Sequence, residues 1–178
     1  MTVAPSVFVS RLAAAFLMAA TFASSARAQT TVPNLTGTWV GTLVNEPAKA
    51  GAPTIDVTIE IGPMLTADNT CSPWKTTYRE KGDIRQVKDY KLCRGTGPDD
   101  LITDEGGGVK LTARWIGGVL VQPFKYDSLL LVVQTRLRGD ILEEEIFTID
   151  DLPAVPNGVQ PLKPRSIQRL TLRRVTAR

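Results

Sequence analysis

Apolar and polar residues alternate along most of the chain after residue 36, a pattern typical of strands with one buried face. The clearest example runs from Ile55 to Ile61, where isoleucine or valine occupies every second position. Similar segments recur at intervals of about 8 to 12 residues, as in β-sandwiches and β-barrels. No segment has helical periodicity, so the predicted fold class is all-β. Strands are predicted at 36–45, 54–62, 73–80, 84–94, 99–104, 108–116, 119–126, 129–138, 141–149 and 166–176.

Three short turns fix the strand register between residues 108 and 149: Gly117-Gly118, Asp127-Ser128 and Gly139-Asp140. Two-residue loops at these turns predict the pairs Trp115 with Leu120, Ala113 with Gln122, Leu111 with Phe124, Phe124 with Leu131, and Thr135 with Glu144. One face is then mostly apolar and is predicted to be the interior. It contains Leu111, Ala113, Trp115, Leu120, Phe124, Tyr126, Leu129, Leu131, Val133, Leu137, Leu142 and Ile146.

The same register places a few polar residues on the interior face, and Glu144 is the most informative of them. A buried carboxylate costs several kcal/mol unless it is paired or protonated. One interpretation is structural: Glu144 pairs with an interior arginine or lies in water at the barrel mouth. The other is a mostly apolar ligand pocket with a few convergent polar groups. The candidate ligand-binding residues are Trp115, Gln122, Phe124, Tyr126, Thr135 and Glu144.

The outer face of these strands also contains apolar residues, namely Leu130, Val132, Ile141 and Phe147. These residues predict an apolar patch on the outer face that is either exposed to solvent or covered by another surface. A homo-oligomer is one explanation for such a patch.

The two cysteines are predicted to form a disulfide within one hairpin. A turn at Lys81-Gly82-Asp83 separates two strand-like runs, and if Glu80 faces Ile84, then Cys71 lies opposite Cys93. Closing a loop of this length stabilises the fold by roughly 3 kcal/mol on the chain-entropy model. The alternative of a redox-active pair lacks the CxxC spacing that lowers a thiol pKa.

The first 28 residues have the organisation of a cleaved signal peptide. Arg11 precedes an apolar run from Leu12 to Phe22, and Ala26-Arg27-Ala28 is a small-x-small cleavage site. The predicted organisation is a signal peptide at 1–28, an N-terminal extension at 29–35 and a single barrel domain at 36–178. We therefore expect a periplasmic or secreted protein without a membrane span.

Charge and composition narrow the possible chemistry. Removing Arg11 and Arg27 leaves 19 basic residues (21 minus 2) against 18 acidic ones, which is too nearly neutral to suggest a nucleic-acid partner. The chain contains no histidine, which excludes Ser-His catalysis and histidine-ligated zinc or haem. We expect no cofactor and no metal site.

Asn34 to Leu43, with its core Gly37-Thr38-Trp39, followed by an all-β meander and a last strand rich in arginine, resembles the calycin superfamily of lipocalins, fatty-acid-binding proteins and avidins. The resemblance implies a single antiparallel up-and-down β-barrel of about 8–10 strands. It also implies that Trp39 lies at the closed end against an arginine of the last strand, either Arg173 or Arg174. A nitrobindin-like haem site would need a histidine.

Three hypotheses for function follow from these features. The first is an exported binding module that holds a small apolar or amphipathic ligand in the barrel. The second is a protein-interaction or inhibitor module with a packed barrel. The third is an isomerase-type enzyme that uses Glu144 as acid or base; because the sequence supplies no second interior acid, we expect binding rather than catalysis.

Overall fold

The structure is a computed structural model that describes residues 32–151 and 159–176. The predicted signal peptide at 1–28 and the start of the N-terminal extension lie outside the described residues. The described chain forms ten strands, each close to a predicted one. They are β1 Gly37–Glu46, β2 Ile55–Ile61, β3 Cys71–Glu80, β4 Asp83–Arg94, β5 Asp100–Gly106, β6 Val109–Ile116, β7 Val119–Tyr126, β8 Leu129–Arg138, β9 Ile141–Asp150 and β10 Lys163–Arg174.

The ten strands form one closed antiparallel barrel in which each strand pairs with its neighbours in sequence and β1 pairs with β10. The prediction of an all-β, up-and-down barrel is therefore confirmed. This architecture fits a calycin-like barrel in general. The described ranges contain no helix long and apolar enough to span a membrane.

The predicted register is confirmed along most of β6 to β9. Trp115 pairs with Leu120, and Thr135 pairs with Glu144. The exceptions are the predicted pairs of Ala113 with Gln122 and of Leu111 with Phe124, because the β6–β7 pairing stops at Arg114 and Val121. Pro123 follows in β7, and proline has no backbone N–H to donate to the neighbouring strand.

The predicted disulfide is also confirmed. Cys71 and Cys93 are directly paired on β3 and β4, with their Cα atoms 4.0 Å apart. The hairpin tip differs from the prediction, since Glu80 pairs with Asp83 and not with Ile84. The pairing shifts between Tyr78 and Arg79, and from Tyr78 to Cys71 it follows the predicted register. A disulfide is compatible with an exported protein.

One end of the barrel, which we call the Trp39 end, contains several fully buried side chains. Trp39, Leu142 and Leu172 are all fully buried, and Leu35 from the segment before β1 is 1% exposed. The opposite end is called the mouth below. On the outer wall, Val132 and Phe147 pair on neighbouring strands and both are half-buried, as are Leu130 and Ile141.

Candidate functional site

The closure of the barrel determines which side chains face each other across the interior. In the order of the strands around the barrel, β4 lies five positions from β9 in either direction. The inward side chains of β4 therefore face those of β9 across the full width of the barrel. This arrangement brings the two halves of the chain together around Glu144.

Glu144 is held in the interior of β9 and has one hydrogen-bond partner among the described residues. Its side chain accepts a hydrogen bond from the Thr135 hydroxyl on β8, Oγ1 to Oε2, at 3.0 Å. The two residues are 7% and 2% exposed. A carboxylate has about four lone-pair sites, so the bond from Thr135 uses only part of its accepting capacity. Within the described residues, no lysine or arginine is in salt-bridge contact with Glu144.

This environment makes the carboxyl group easier to protonate. Burial raises the pKa of Glu144, while the hydrogen bond from Thr135 and the charge of Lys88 act in the opposite direction. Neutral and ionised forms of this side chain therefore have different hydrogen-bonding roles, because only the protonated form can donate.

Two tyrosines on β3 and β4 face Glu144. Burial raises the pKa of Tyr78, and the negative charge of Glu144 raises it further. The pKa of Tyr90 is raised by the same two causes in the same order, and its hydroxyl has a hydrogen bond with Thr76. Both tyrosines are therefore neutral at physiological pH. They present hydroxyl groups to the interior from the wall opposite the carboxylate.

Gln122 on β7 belongs to a second interior polar pair. The Thr103 hydroxyl on β5 donates a hydrogen bond to Oε1 of Gln122 at 2.8 Å. Because β6 lies between β5 and β7 in the barrel, this bond reaches past an intervening strand. Ala113, a small interior residue of β6 that is 5% exposed, leaves space there.

The other candidate residues are spread along the barrel. Phe124 is half-buried, whereas Tyr126 at the end of β7 is 64% exposed. Trp115 lies beside Leu120 at the start of β7, so about 20 Å of strand separates it from Tyr126. The structure therefore brings Thr135 and Glu144 into contact but places Trp115 and Tyr126 at opposite ends.

Trp39 is held by two interactions at its end of the barrel. The indole Nε1–H donates to the Leu35 carbonyl at 2.8 Å. The Arg174 guanidinium lies over the ring, 4.2 Å from its centre, and also donates to the carbonyls of Asn34 and Thr36. Arg173, the other candidate for this position, is exposed and pairs with Asp140.

The mouth contains a cavity of about 450 Å³ with a mainly polar rim. Tyr78 and Lys88 line it, so one of the two tyrosines that face Glu144 is accessible from this side. Gln168 and Asn45 also line the cavity and hydrogen-bond to each other at 2.9 Å. The cavity offers an entrance from the solvent toward the polar interior.

Sequence reasoning missed Tyr90 and Lys88 because β4 lacks a clear period-two pattern, and it missed Tyr78 because the inner face of β3 mixes polar and apolar residues. Its inward residues Lys88 and Tyr90 alternate with Val87 and Asp89, so hydrophobicity alone does not distinguish its faces. The predicted pairing of Cys71 with Cys93 was enough to identify the inner face of β4. The register that pairs Cys71 with Cys93 also pairs Trp74 with Tyr90, and Trp74 indicates the interior face.

No group of three or more His, Cys, Asp or Glu side chains that could hold a metal ion occurs in residues 32–151 and 159–176. Comparisons with protein-family models, curated proteins and solved structures find no match to this chain.

Proposed function

We propose that this protein is an exported binding module that holds a small amphipathic molecule in the barrel interior, with the polar group of the ligand at Glu144. The observation that carries the proposal is the spare hydrogen-bonding capacity of this buried carboxyl group, which has Thr135 as its one partner within residues 32–151 and 159–176. Burying such a group costs free energy. A ligand that completes its hydrogen bonds recovers part of that cost.

The chemistry around Glu144 favours a ligand head group that donates hydrogen bonds. The described residues supply no paired cation at this point, so an alkylammonium head would provide the missing charge. A hydroxyl head would be bound more weakly, because it brings no charge. A carboxylate head would face repulsion from ionised Glu144. The apolar part of the ligand would lie against Phe124 and the neighbouring aliphatic side chains.

Two further features support the proposal. The arrangement of Gly37, Trp39 and Arg174 resembles that of lipocalins, fatty-acid-binding proteins and avidins, which carry ligands inside their barrels. We also propose that residues 1–28 direct export to the periplasm or the medium, which agrees with the disulfide between Cys71 and Cys93.

Native mass spectrometry of the purified protein tests whether a small molecule is retained in the barrel. Calorimetric titrations with octylamine, octanol and octanoate then rank the three head groups. We expect octylamine to bind with the highest affinity, and Glu144→Gln to weaken it by roughly tenfold or more, as for loss of a charge-assisted hydrogen bond.

Glu143→Gln is the matched control for that titration, because Glu143 is the preceding residue but pairs with Arg136 on the outer wall. It should leave octylamine binding unchanged. The proposal is wrong if the wild-type protein retains no small molecule and binds none of the three probes. It is also wrong if both variants reduce binding equally.

A second candidate function, association through the outer wall, rests on a separate observation. Pro123, Val132, Phe147 and Ile167 form a row of paired apolar positions across β7 to β10. Rows of this kind on one barrel wall suit contact with another protein surface, including a second copy of this chain. Light scattering of Phe147→Ser and wild-type protein at equal concentration tests for self-association.

A further inference from the structure

A second cavity, of about 330 Å³, lies at the Trp39 end of the barrel. Its walls are apolar and come mainly from the interior faces of β3 to β6, with Trp74, Leu92, Leu101 and Trp115 as the largest contributors. Met64 of the β2–β3 loop also lines it. The cavity is thus distinct from the mouth and from the polar groups around Glu144.

One wall residue has a polar group that the fold does not satisfy. The Nε1–H of Trp74 is buried and has no acceptor among the described residues. The whole residue is 3% exposed. The corresponding group of Trp39 donates to the Leu35 carbonyl. An unmade hydrogen bond of a buried donor is costly, but this N–H has almost no accessible surface, so an acceptor in the cavity reaches it only once the indole turns toward the cavity.

The charge at this cavity points to an anionic acceptor. Among the described lining residues, Arg94 is the charged one, with its side chain exposed at the rim, and none is an aspartate or glutamate. Arg94 donates to the Thr66 carbonyl at 3.1 Å but takes part in no ion pair within residues 32–151 and 159–176. Its positive charge therefore remains available to a carboxylate.

The size of the cavity limits the ligand. A volume of about 330 Å³ is at the lower end of the roughly 300–1,000 Å³ found for ligand pockets. Such a space suits a single ring or a short branched chain. The two tryptophans offer flat apolar surfaces for a ring.

We propose that the cavity at the Trp39 end is a second binding site, specific for a small apolar or aromatic monocarboxylate. The apolar body of the ligand packs against Trp74 and Trp115, its carboxylate pairs with Arg94, and the Trp74 indole turns to donate a hydrogen bond to the same carboxylate. This site does not depend on the ligand proposed for Glu144.

The test uses ¹H–¹⁵N NMR spectra of the wild-type protein titrated with phenylacetate and with its neutral analogue phenylacetamide. Each of the three tryptophans gives an indole N–H resonance, and Trp74→Phe identifies the one from Trp74. We expect phenylacetate to shift this resonance downfield while the Trp39 resonance stays in place. Phenylacetamide should bind roughly ten- to hundredfold more weakly, because it lacks the charge that pairs with Arg94.

Arg94→Gln should abolish the preference for phenylacetate over phenylacetamide. Arg173→Gln is the matched control, since Arg173 is an exposed arginine that pairs with Asp140 on the outer wall, and it should preserve the preference. The proposal is overturned if millimolar phenylacetate leaves the Trp74 resonance unmoved, or if Arg94→Gln retains the preference. Glu144→Gln should not affect this titration, so failure here is distinguishable from failure of the interior site.

Discussion

Gly37, Trp39 and Arg174 illustrate how single residues shape the Trp39 end of the barrel. A Cβ atom at Gly37 would lie 3.1 Å from Nη1 of Arg174. The backbone there has φ of 132°, a conformation that L side chains rarely adopt. Glycine is therefore required both for backbone conformation and for space. The arginine that it admits covers Trp39 and donates to the carbonyls of Asn34 and Thr36.

Gly37→Ala should destabilise the fold by about 1–3 kcal/mol from backbone conformation, with a further loss from displacement of Arg174. Gly51→Ala is a suitable control, because Gly51 also has positive φ but a Cβ there would meet nothing within 4 Å. Urea unfolding followed by tryptophan fluorescence measures both losses. Equal losses would show that crowding of Arg174 is unimportant.

Glu144→Gln should raise the free energy of unfolding at neutral pH. Burial raises the folded-state pKa of Glu144 above its ordinary value of 4.5, so the folded state holds this proton to higher pH than the unfolded chain does. Wild-type stability then falls as pH rises from about 4.5 through the folded-state value. The variant lacks this component, and its advantage should disappear in acid.

Glu143→Gln should lower the free energy of unfolding at neutral pH, in contrast to Glu144→Gln. The hydrogen bond from Arg136 is the largest influence on Glu143, and it lowers the pKa of this carboxyl group. The stabilisation that this interaction gives the folded protein is present above the unfolded-state pKa of Glu143. It is lost as pH falls through the folded-state pKa of Glu143. Urea unfolding of wild type and both variants between pH 3 and 8 checks the two signs. Parallel pH profiles would contradict the assigned environments.

At the scale of strands, the β3–β4 hairpin is held by a disulfide directly across its open end. Cys71→Ala combined with Cys93→Ala should lower the free energy of unfolding by about 2–4 kcal/mol, because the unfolded chain regains the freedom that the closed loop removes. Thermal or urea unfolding with and without dithiothreitol measures this loss. Dithiothreitol should destabilise the wild type and leave the double variant unchanged.

Strand pairing was predictable wherever two-residue turns connect neighbouring strands. The register of β8 and β9 follows from the turn at Gly139-Asp140 alone, since each pair then follows from the one before. The prediction fails where a strand contains a local irregularity. Near Glu80 the pairing shifts around the hairpin tip, and beside Pro123 the ladder between β6 and β7 ends early. Neither irregularity changes the alternation of apolar and polar residues along the sequence, so the sequence pattern does not reveal it.

At the scale of the whole molecule, the candidate site depends on the number of strands in the closed barrel. Period-two alternation indicates which face a residue occupies, and on this basis Thr135 and Glu144 were correctly placed together inside. It does not indicate what lies across the interior. Tyr90 faces Glu144 because closure with ten strands sets β4 opposite β9, and Tyr78 lies on the neighbouring strand β3. In a barrel with fewer strands, different pairs of strands would face each other across the interior.

The two proposed sites have different linings, because neither Glu144 nor Thr135 lines the cavity at the Trp39 end, and we expect them to bind independently. Trp39, Ile59, Leu142 and Leu172 in the barrel interior are fully buried. Coupling between sites requires an element with two alternative arrangements, and a tightly packed barrel wall offers no such element. Saturating octylamine should therefore change the dissociation constant of phenylacetate by less than about twofold.

Calorimetric titration of phenylacetate in the presence and absence of octylamine checks this independence. The increases in melting temperature produced by the two probes should also be nearly additive, because each probe stabilises the native state by its own mass action. The variant Trp115→Leu should weaken phenylacetate alone, since Trp115 lines the cavity at the Trp39 end. A reciprocal loss of affinity for both probes would instead mean that they share one continuous interior, with Trp115 and Glu144 in the same site.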